Sequence, residues 1–429
     1  MQQDFSTLGI GPVVLKAVRE LGYTEPTPVQ ALAIPAGLSG RDLLASAQTG
    51  TGKTAAFGIP LIERIAKLPR GKTQALVLAP TRELAAQIAE VLVSLSRHTN
   101  LRVASVFGGV GFGPQLAAFK RGTEIIVACP GRLLDLMAQG AAKLDAIDVL
   151  VLDEADRMMD MGFLPSVRRI VAKIPKNRQT MMFSATMAPE IAKLSADILN
   201  NPERIAIAPK TDVTTAEGIT HTAYTIDGAR KTDLLLELLK DNNIFSAIAF
   251  TRTKARANRL ALALAKHGHT AERIHGDRSQ AQRTRALADF KQGKLRVLVA
   301  TDVAARGIDV AALGHVINFD VPMVAEDYVH RVGRTARAEA LGDAITFVAR
   351  DEEAYFRDIE KKVGRRIDRA KVPDLGAPTA PEMPAARQQV QRGPRPGGPG
   401  QFGRPARPMG GAPSGAPVQQ RRRAASGRG

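Results

Sequence analysis

The stretch DLLASAQTGTGKT, residues 42–54, decides how the rest of the chain is read. The apolar run Leu43, Leu44 and Ala45 precedes a glycine-containing turn, and Ala55, Ala56 and Phe57 open a helical pattern after it, so the order is strand, turn, helix. Gly50 and Gly52 permit positive φ and a close backbone approach. The N–H groups of the turn and the helix N-terminus then converge on whatever lies in front of them. Ala47, Gln48, Thr49, Gly50, Thr51, Gly52, Lys53 and Thr54 therefore form a cradle for a polyphosphate. Lys53 is placed to bridge the β- and γ-phosphates and the Thr54 hydroxyl to hold Mg²⁺. Ala47 stands where such loops usually begin with glycine.

A second signal lies a hundred residues on. Asp153, Glu154, Ala155 and Asp156 follow directly on the apolar run Val149, Leu150, Val151 and Leu152. A carboxylate at the end of a buried strand is where an α/β sheet presents its site. Asp153 can hold Mg²⁺, and Glu154 can orient and deprotonate an attacking water. Residues 328–337 read YVHRVGRTAR, in which Arg331, Arg334 and Arg337 recur every third residue. Such a set can reach a neighbouring site and neutralise a γ-phosphate as charge spreads in a transition state.

Around these stretches the chain alternates apolar runs with amphipathic segments, the pattern of parallel sheets with crossover helices. Runs at 75–79, 125–128, 149–152 and 181–183 read as strands, and so do 247–250, 296–300, 315–319 and 344–348. Two α/β domains with helices on both faces of each sheet follow, at 1–208 and 219–368. The alternation lapses between them, so 209–218 reads as a linker. Only the first domain carries a phosphate loop. From residue 369 to the C-terminus, eleven prolines and eleven glycines among 61 residues leave too little to bury, and a disordered tail is expected at 369–429.

The formal net charge is +18, and the tail alone contributes eleven Lys or Arg against Asp374 and Glu382. Half the excess thus sits at one end, which points to a polyanionic partner, most simply nucleic acid. With one cysteine, Cys129, and seven histidines in the chain, neither a disulfide framework nor a zinc cluster is expected. No stretch reads as an export leader or a membrane span, so a cytoplasmic protein with no membrane partner is expected.

Nine motifs now appear in order: GYTEPTPVQ, AQTGTGKT, PTREL, CPGR, DEAD, SAT, HGDRSQAQR, ATDVAARGID and HRVGRTAR. In order and rough spacing the chain resembles the DEAD-box RNA helicases over about residues 1–368. Residues 108–115, GGVGFGPQ, and the basic tail look most like the bacterial RhlE-type subgroup. The resemblance implies two tandem RecA-like domains that close over ATP and RNA. It implies that Gln30 reads the adenine edge through its amide, in the segment that also holds Tyr23, and that Phe5 stacks on the ring. It makes Lys53, Asp153, Glu154, Arg334 and Arg337 catalytic, the two arginines as fingers, and brings Asp309 to the ribose. Asp156, Ser184, Thr186, His330 and Arg331 would couple the γ-phosphate region to domain closure. RNA contacts carry over to Arg82, Gly109, Gly131 and Arg132 in the first domain and to Arg278, Gln280 and Thr301 in the second. Glycine N–H groups, hydroxyls and arginines suit a sugar–phosphate backbone and carry little base information.

The reading is an ATP-dependent RNA helicase, using ATP and Mg²⁺, that locally opens or remodels RNA duplexes and ribonucleoproteins. Its partners would be single strands and short duplexes of RNA, with protein partners open between ribosome-assembly and RNA-degradation proteins. Two rivals remain at this point: a DNA-directed helicase of the same superfamily, and a non-enzymatic RNA chaperone or scaffold. Two departures from the family pattern, Cys129 for threonine and Ala336 for glycine, are small and bear on RNA affinity and rate.

All the motif residues lie before residue 369, so deleting residues 371–429 should leave the maximal RNA-stimulated ATPase largely intact. The RNA concentration for half-maximal stimulation should rise, and its salt dependence should flatten by about 0.7 in log–log slope for each phosphate that the tail had neutralised. ATPase titrations with RNA at several salt concentrations check this; unchanged affinity and slope would assign the tail to another role.

Overall fold

A computed structural model describes residues 4–47, 51–207, 219–241, 243–305, 313–333, 335 and 342–377. The expected linker and residues 378–429 of the expected tail lie outside the described residues. The first half forms one sheet from β1 (Leu43–Ser46), β2 (Ala75–Leu78), β3 (Val103–Val106), β4 (Ile125–Ala128), β5 (Val149–Leu152), β6 (Gln179–Ser184) and β7 (Glu203–Ala206). The second half forms another from β8 (Ile219–Thr225), β9 (Ala247–Phe250), β10 (Ala271–Ile274), β11 (Val297–Ala300), β12 (His315–Asn318), β13 (Gly342–Val348) and β14 (Asp368–Arg369). The orders are β3-β4-β2-β5-β6-β1-β7 and β10-β11-β9-β12-β13-β8-β14, so the second sheet repeats the first strand for strand. Every pairing is parallel.

The apolar runs are explained by what covers the sheet. Leu43, Ala75, Val77, Val149, Val151 and Phe183 pack into a core on one face, and Leu44, Leu76, Leu78, Leu150, Leu152 and Met182 into a core on the other. Alternate residues of one strand thus enter different cores, and both must be apolar, which is why the central strands show no polar alternation. The flanking strands β3, β10 and β7 are only partly buried and carry polar residues, so they leave no apolar run to read.

Packing also continues past residue 368. Arg369 pairs with the Glu353 carboxylate through two nitrogens at 2.7 and 2.9 Å and lies over the Phe356 ring, while Val372 and Leu375 pack against a second-half core. The start expected for the tail is therefore too early: this segment is held by one bidentate pair and two apolar side chains, too sparse a pattern to stand out among prolines and glycines.

One buried carboxylate secures the outer strands of the first sheet. Glu124, fully buried just before β4, accepts from Arg102 Nη2 at 2.8 Å, Arg102 Nε at 3.0 Å and the Arg102 backbone N–H at 3.1 Å, with Arg70 Nε and the Gly71 N–H each at 3.3 Å. Burial alone would raise its pKa, but the Arg102 side chain and the backbone donors outweigh burial and bring it down to about 2. A carboxyl depressed on folding contributes stability above its unfolded pKa and loses that contribution as the pH falls toward 2. Glu124→Gln should cost about 1–3 kcal/mol at neutral pH, and the gap to the unmodified protein should shrink steadily below pH 4. Urea unfolding across that range measures both.

Candidate active site

β1 delivers the chain into the phosphate loop, and the Ala47 N–H donates to the Ser184 carbonyl of β6 at 3.0 Å. Gln48, Thr49 and Gly50 lie outside the described residues. Gly52, with φ 86°, caps the helix Lys53–Ile65. The positive φ favours glycine, and a Cβ there would come within 2.4 Å of the Gln30 amide nitrogen, which would have to shift. Lys53 is buried, and its ammonium folds back to the Ala47 carbonyl at 3.0 Å. Thr54, half-buried, follows in the first helical turn.

The segment carrying Tyr23 and Gln30 is seated on the back of this loop. The Thr27 hydroxyl donates to the Thr51 carbonyl at 2.7 Å, and the Gln30 amide donates to the Gly52 carbonyl at 3.1 Å while its oxygen accepts from the Thr27 N–H at 2.9 Å. A primary amide has two donors and two lone pairs, so Gln30 keeps one of each, the complement of an adenine edge. Phe5 is placed differently from expectation. It is 1% exposed and stacked on Tyr23 at 6.1 Å, a core position that offers no open face to a base, whereas Tyr23 is half-buried.

At the end of β5 the chain turns sharply. Glu154 takes φ 52° and ψ 54°, a left-handed conformation costing a non-glycine residue about 1–3 kcal/mol. The turn aims two carboxylates differently. Asp153 accepts from the Glu154 N–H at 3.0 Å, and burial pushes its pKa up to about 6, with Lys53 pulling down and Glu154 pushing further up. The Glu154 carboxylate accepts from Arg157 Nη1 at 2.7 Å, both side chains being buried. Asp156 ties this turn to β6: one carboxylate oxygen accepts from the Ala185 and Thr186 N–H groups, each at 3.0 Å, and the Ser184 hydroxyl accepts from the Asp156 N–H at 3.2 Å and donates to the Thr186 carbonyl at 2.8 Å. The two motifs form one hydrogen-bonded unit.

In the second half, Asp309, Arg334, Ala336 and Arg337 lie outside the described residues. Arg331 is 2% exposed and makes a bidentate pair with Asp302 at 2.6 and 2.7 Å, with further bonds to the Asn318 side chain and the Asp320 carbonyl. It cannot reach a neighbouring γ-phosphate as the threefold spacing suggests; it fastens the helix Ala325–Val332 to the end of β11. His330 sits half-buried on that helix.

A cleft of about 320 Å³ runs between Arg82, Gly108, Gly131 and Arg132 on one side and Gly276 and Arg283 on the other, with Cys129 on its wall. Burial, together with the Glu83 carboxylate, pushes the Cys129 thiol up to about 12, so it stays protonated and, as the first cap of helix Pro130–Ala138, makes no side-chain bond. Gly131 is exposed in the first turn of that helix, where its N–H is unpaired by helix geometry. Gln280, expected on RNA, is buried and donates instead to Glu83 Oε1 at 3.1 Å, beside an Arg283 to Glu83 pair at 2.9 Å. Arg278 reaches Glu272 at 3.3 Å, and Thr301 is buried at the end of β11. Glu83 and Arg283 are the residues that sequence reasoning passed over. Both stand inside quoted motifs, and an acid in a first helical turn facing an arginine three residues after Gln280 was the available signal.

Comparison with known proteins agrees with this geometry. Residues 27–194 match the model of the DEAD/DEAH box helicase family and 230–339 that of the helicase conserved C-terminal domain. The DEAD-box ATP-dependent RNA helicase CshA of Bacillus licheniformis is 44% identical over 388 residues, covering 90% of this chain and 77% of that protein. The CshA of Bacillus subtilis is 43% identical over 375 residues, covering 87% and 75%. Among solved structures, S. cerevisiae Dbp5 bound to RNA and ADP BeF3 matches with a TM-score of 0.75 at 32% identity, covering 86% of this chain and 95% of that one. Mss116p bound to ssRNA and AMP-PNP matches with a TM-score of 0.78 at 28% identity, covering 86% and 80%. With the loop, the tetrad and the paired sheets in place, the chain belongs to the DEAD-box helicase family.

Proposed function

We propose that the protein is an ATP-dependent RNA helicase, hydrolysing ATP to ADP and phosphate and opening short RNA duplexes locally. The observation that carries this reading is the convergence of Lys53, Asp153 and Glu154 after β1 and β5, with Asp156 bonded to Ser184 at the end of β6 and to Thr186 just past it, β6 lying between the other two strands. Lys53 leaves the Ala47 carbonyl for the β- and γ-phosphates, and Gln30 turns its spare donor and acceptor to adenine. Glu154 is the general base: it holds a water in line with the γ-phosphorus and takes its proton. Asp156 passes a shift of the phosphate region to the backbone of residues 184–186. Arg334 and Arg337 are the fingers that the motif assigns.

The site suits Mg²⁺. Asp153 is a buried carboxylate whose burial cost a divalent cation would relieve, and Thr54 supplies a second hard oxygen. Bound there, Mg²⁺ would neutralise charge on the β- and γ-phosphates. Among the described residues no group of three or more His, Cys, Asp or Glu could hold a metal.

The finer placements are also proposals. Residues 108–115 and the tail composition support an RhlE-type protein, while the curated relatives bear the CshA name, so the core supports a bacterial DEAD-box helicase without singling out that subgroup. Among the described residues no helix is long and apolar enough to cross a membrane, and a cytoplasmic site of action fits the bacterial relatives. Ribosome-assembly and RNA-degradation proteins are the candidate partners.

Glu154→Gln should retain ATP and RNA binding and lose about 10²–10⁴-fold in turnover, since the amide keeps the shape without the base. Steady-state ATPase with RNA, beside equilibrium binding of both ligands, measures this; near-normal turnover would remove Glu154 from the mechanism. The same assay with DNA in place of RNA separates the two nucleic acids.

ATP should be preferred over GTP by about 1–3 kcal/mol, and Gln30→Ala should abolish the preference, because guanine presents an acceptor where adenine presents a donor. Competition between the two nucleotides reads it directly.

A further inference from the structure

Residues 107–111 form a loop held between Arg82 and Arg132, the two first-half arginines read as RNA contacts. From below, Arg82 lies so close to Gly109 that a Cβ there would fall 2.0 Å from its Nη1, at a φ of 82° that already favours glycine. From the side, Arg132 donates from Nη1 to the Val110 carbonyl at 3.0 Å, and its guanidinium carbon stands 4.1 Å from the centroid of the Phe112 ring. The loop is pinned at its far end by Gln115, whose amide donates to the carbonyls of Phe107 at 3.2 Å and Gly111 at 3.1 Å. Phe112 begins the helix Phe112–Lys120 and is 37% exposed, which is unusual for a phenylalanine with no core to fill.

We propose that Phe112 is a positioning residue for RNA: its ring holds the Arg132 guanidinium at the edge of the cleft in the orientation that meets a phosphate. The inference rests on the reading of Arg132 as an RNA-backbone contact. An arginine side chain on a surface samples many rotamers and loses that freedom when it grips a phosphate. Here the freedom is already restricted before RNA arrives, because the ring covers one face of the guanidinium and Val110 takes one of its five N–H donors. Among the described residues the other charged contact of this guanidinium is with Asp135 on the same helix, at 4.0 Å from Nε. The Arg132 side chain is only 10% exposed, so the ring and loop shield its stem while the cleft receives its edge. Val110 and Phe112 thus act through Arg132, and an aromatic ring is needed because an aliphatic side chain has no face that attracts a cation.

The test uses the full chain, with single-stranded oligo(U) and oligo(A) as probes. Phe112→Leu should raise the RNA concentration for half-maximal ATPase stimulation about two- to fivefold, with the effect in that concentration rather than in kcat, and Phe112→Tyr should restore it. Arg132→Ala should weaken binding and flatten the salt dependence by about 0.7 in slope, whereas Phe112→Leu should keep the slope, since Arg132 still neutralises the same phosphate. In the Arg132→Ala background the Phe112 change should add nothing. If Arg132→Ala leaves affinity and slope untouched, the reading of Arg132 fails and the inference with it. If Arg132→Ala weakens binding but Phe112→Leu does not, or if the two effects add, Arg132 stays on RNA and the positioning role is overturned. A Phe112 effect that survives without Arg132 and differs between oligo(U) and oligo(A) would make Phe112 a base contact instead. Phe112 is half-open to solvent at a helix start, so thermal unfolding of its variants should match the unmodified protein.

Discussion

The site depends on three parallel neighbours, β5, β6 and β1, ending at the same edge of the first sheet. Parallel strands that are buried on both faces present their functional groups only at their C-terminal ends, in the turns that follow. Because β6 lies between the other two, its end and the turn after it can touch both the start of the phosphate loop and the acidic tetrad. The structure uses it so: the Ser184 carbonyl accepts from the Ala47 N–H, while the Ala185 and Thr186 N–H groups donate to Asp156. The start of the phosphate loop, the end of β6 and the acidic tetrad are thereby joined by one bonded chain of groups.

The second constraint is the polar contact between the halves. Glu83 is buried with Arg283 and Gln280, and burial pulls the Arg283 guanidinium below the ordinary arginine range despite the carboxylate beside it. Such a pair repays desolvation only when both partners are in place, and separating them into water recovers hydration for each. The contact therefore sets the geometry of the joined form more than it drives joining. A ligand that touched both halves would drive joining only in so far as it bound the joined form better than the separated one.

How far the sequence could be read follows from the same physics. The central strands were legible because burial on both faces forces continuous apolar runs, and the phosphate loop and tetrad because their chemistry is bound to local order along the chain. The partners of long side chains were not. The threefold spacing of Arg331 with its neighbours says nothing of Asp302, Phe5 looks the same in sequence whether it meets a base or a core, and Gln280 turns to an acid 197 residues away. The flanking strands β3 and β10 escaped because partial exposure admits polar residues, and β14 because it is two residues long.

The repeated strand order raises the question of why a phosphate loop stands in the first half and not at the equivalent place in the second. β8 occupies the position of β1, and the helix after it, Lys231–Leu238, begins with a lysine as the helix after β1 begins with Lys53. β12 occupies the position of β5, and Asp320 stands one residue farther past its end than Asp153 stands past β5. In the second half this pair is closed on itself. Lys231 is 1% exposed and donates to the Phe319 carbonyl at 2.9 Å and to Glu352, with Asp320 at 3.7 Å, and the turn ahead of it is capped by Asp227, which accepts from the Ala229 N–H at 2.8 Å. Carboxylates stand where a phosphate would have to enter, and a polyanion could displace them only by leaving buried negative charge unpaired. In the first half the hydrogen bond that Lys53 makes is to a neutral carbonyl instead, so a phosphate that takes its place in that contact displaces no carboxylate. The same topology thus gives a receptive site where the lysine is held by a carbonyl and a structural ion pair where it is held by acids.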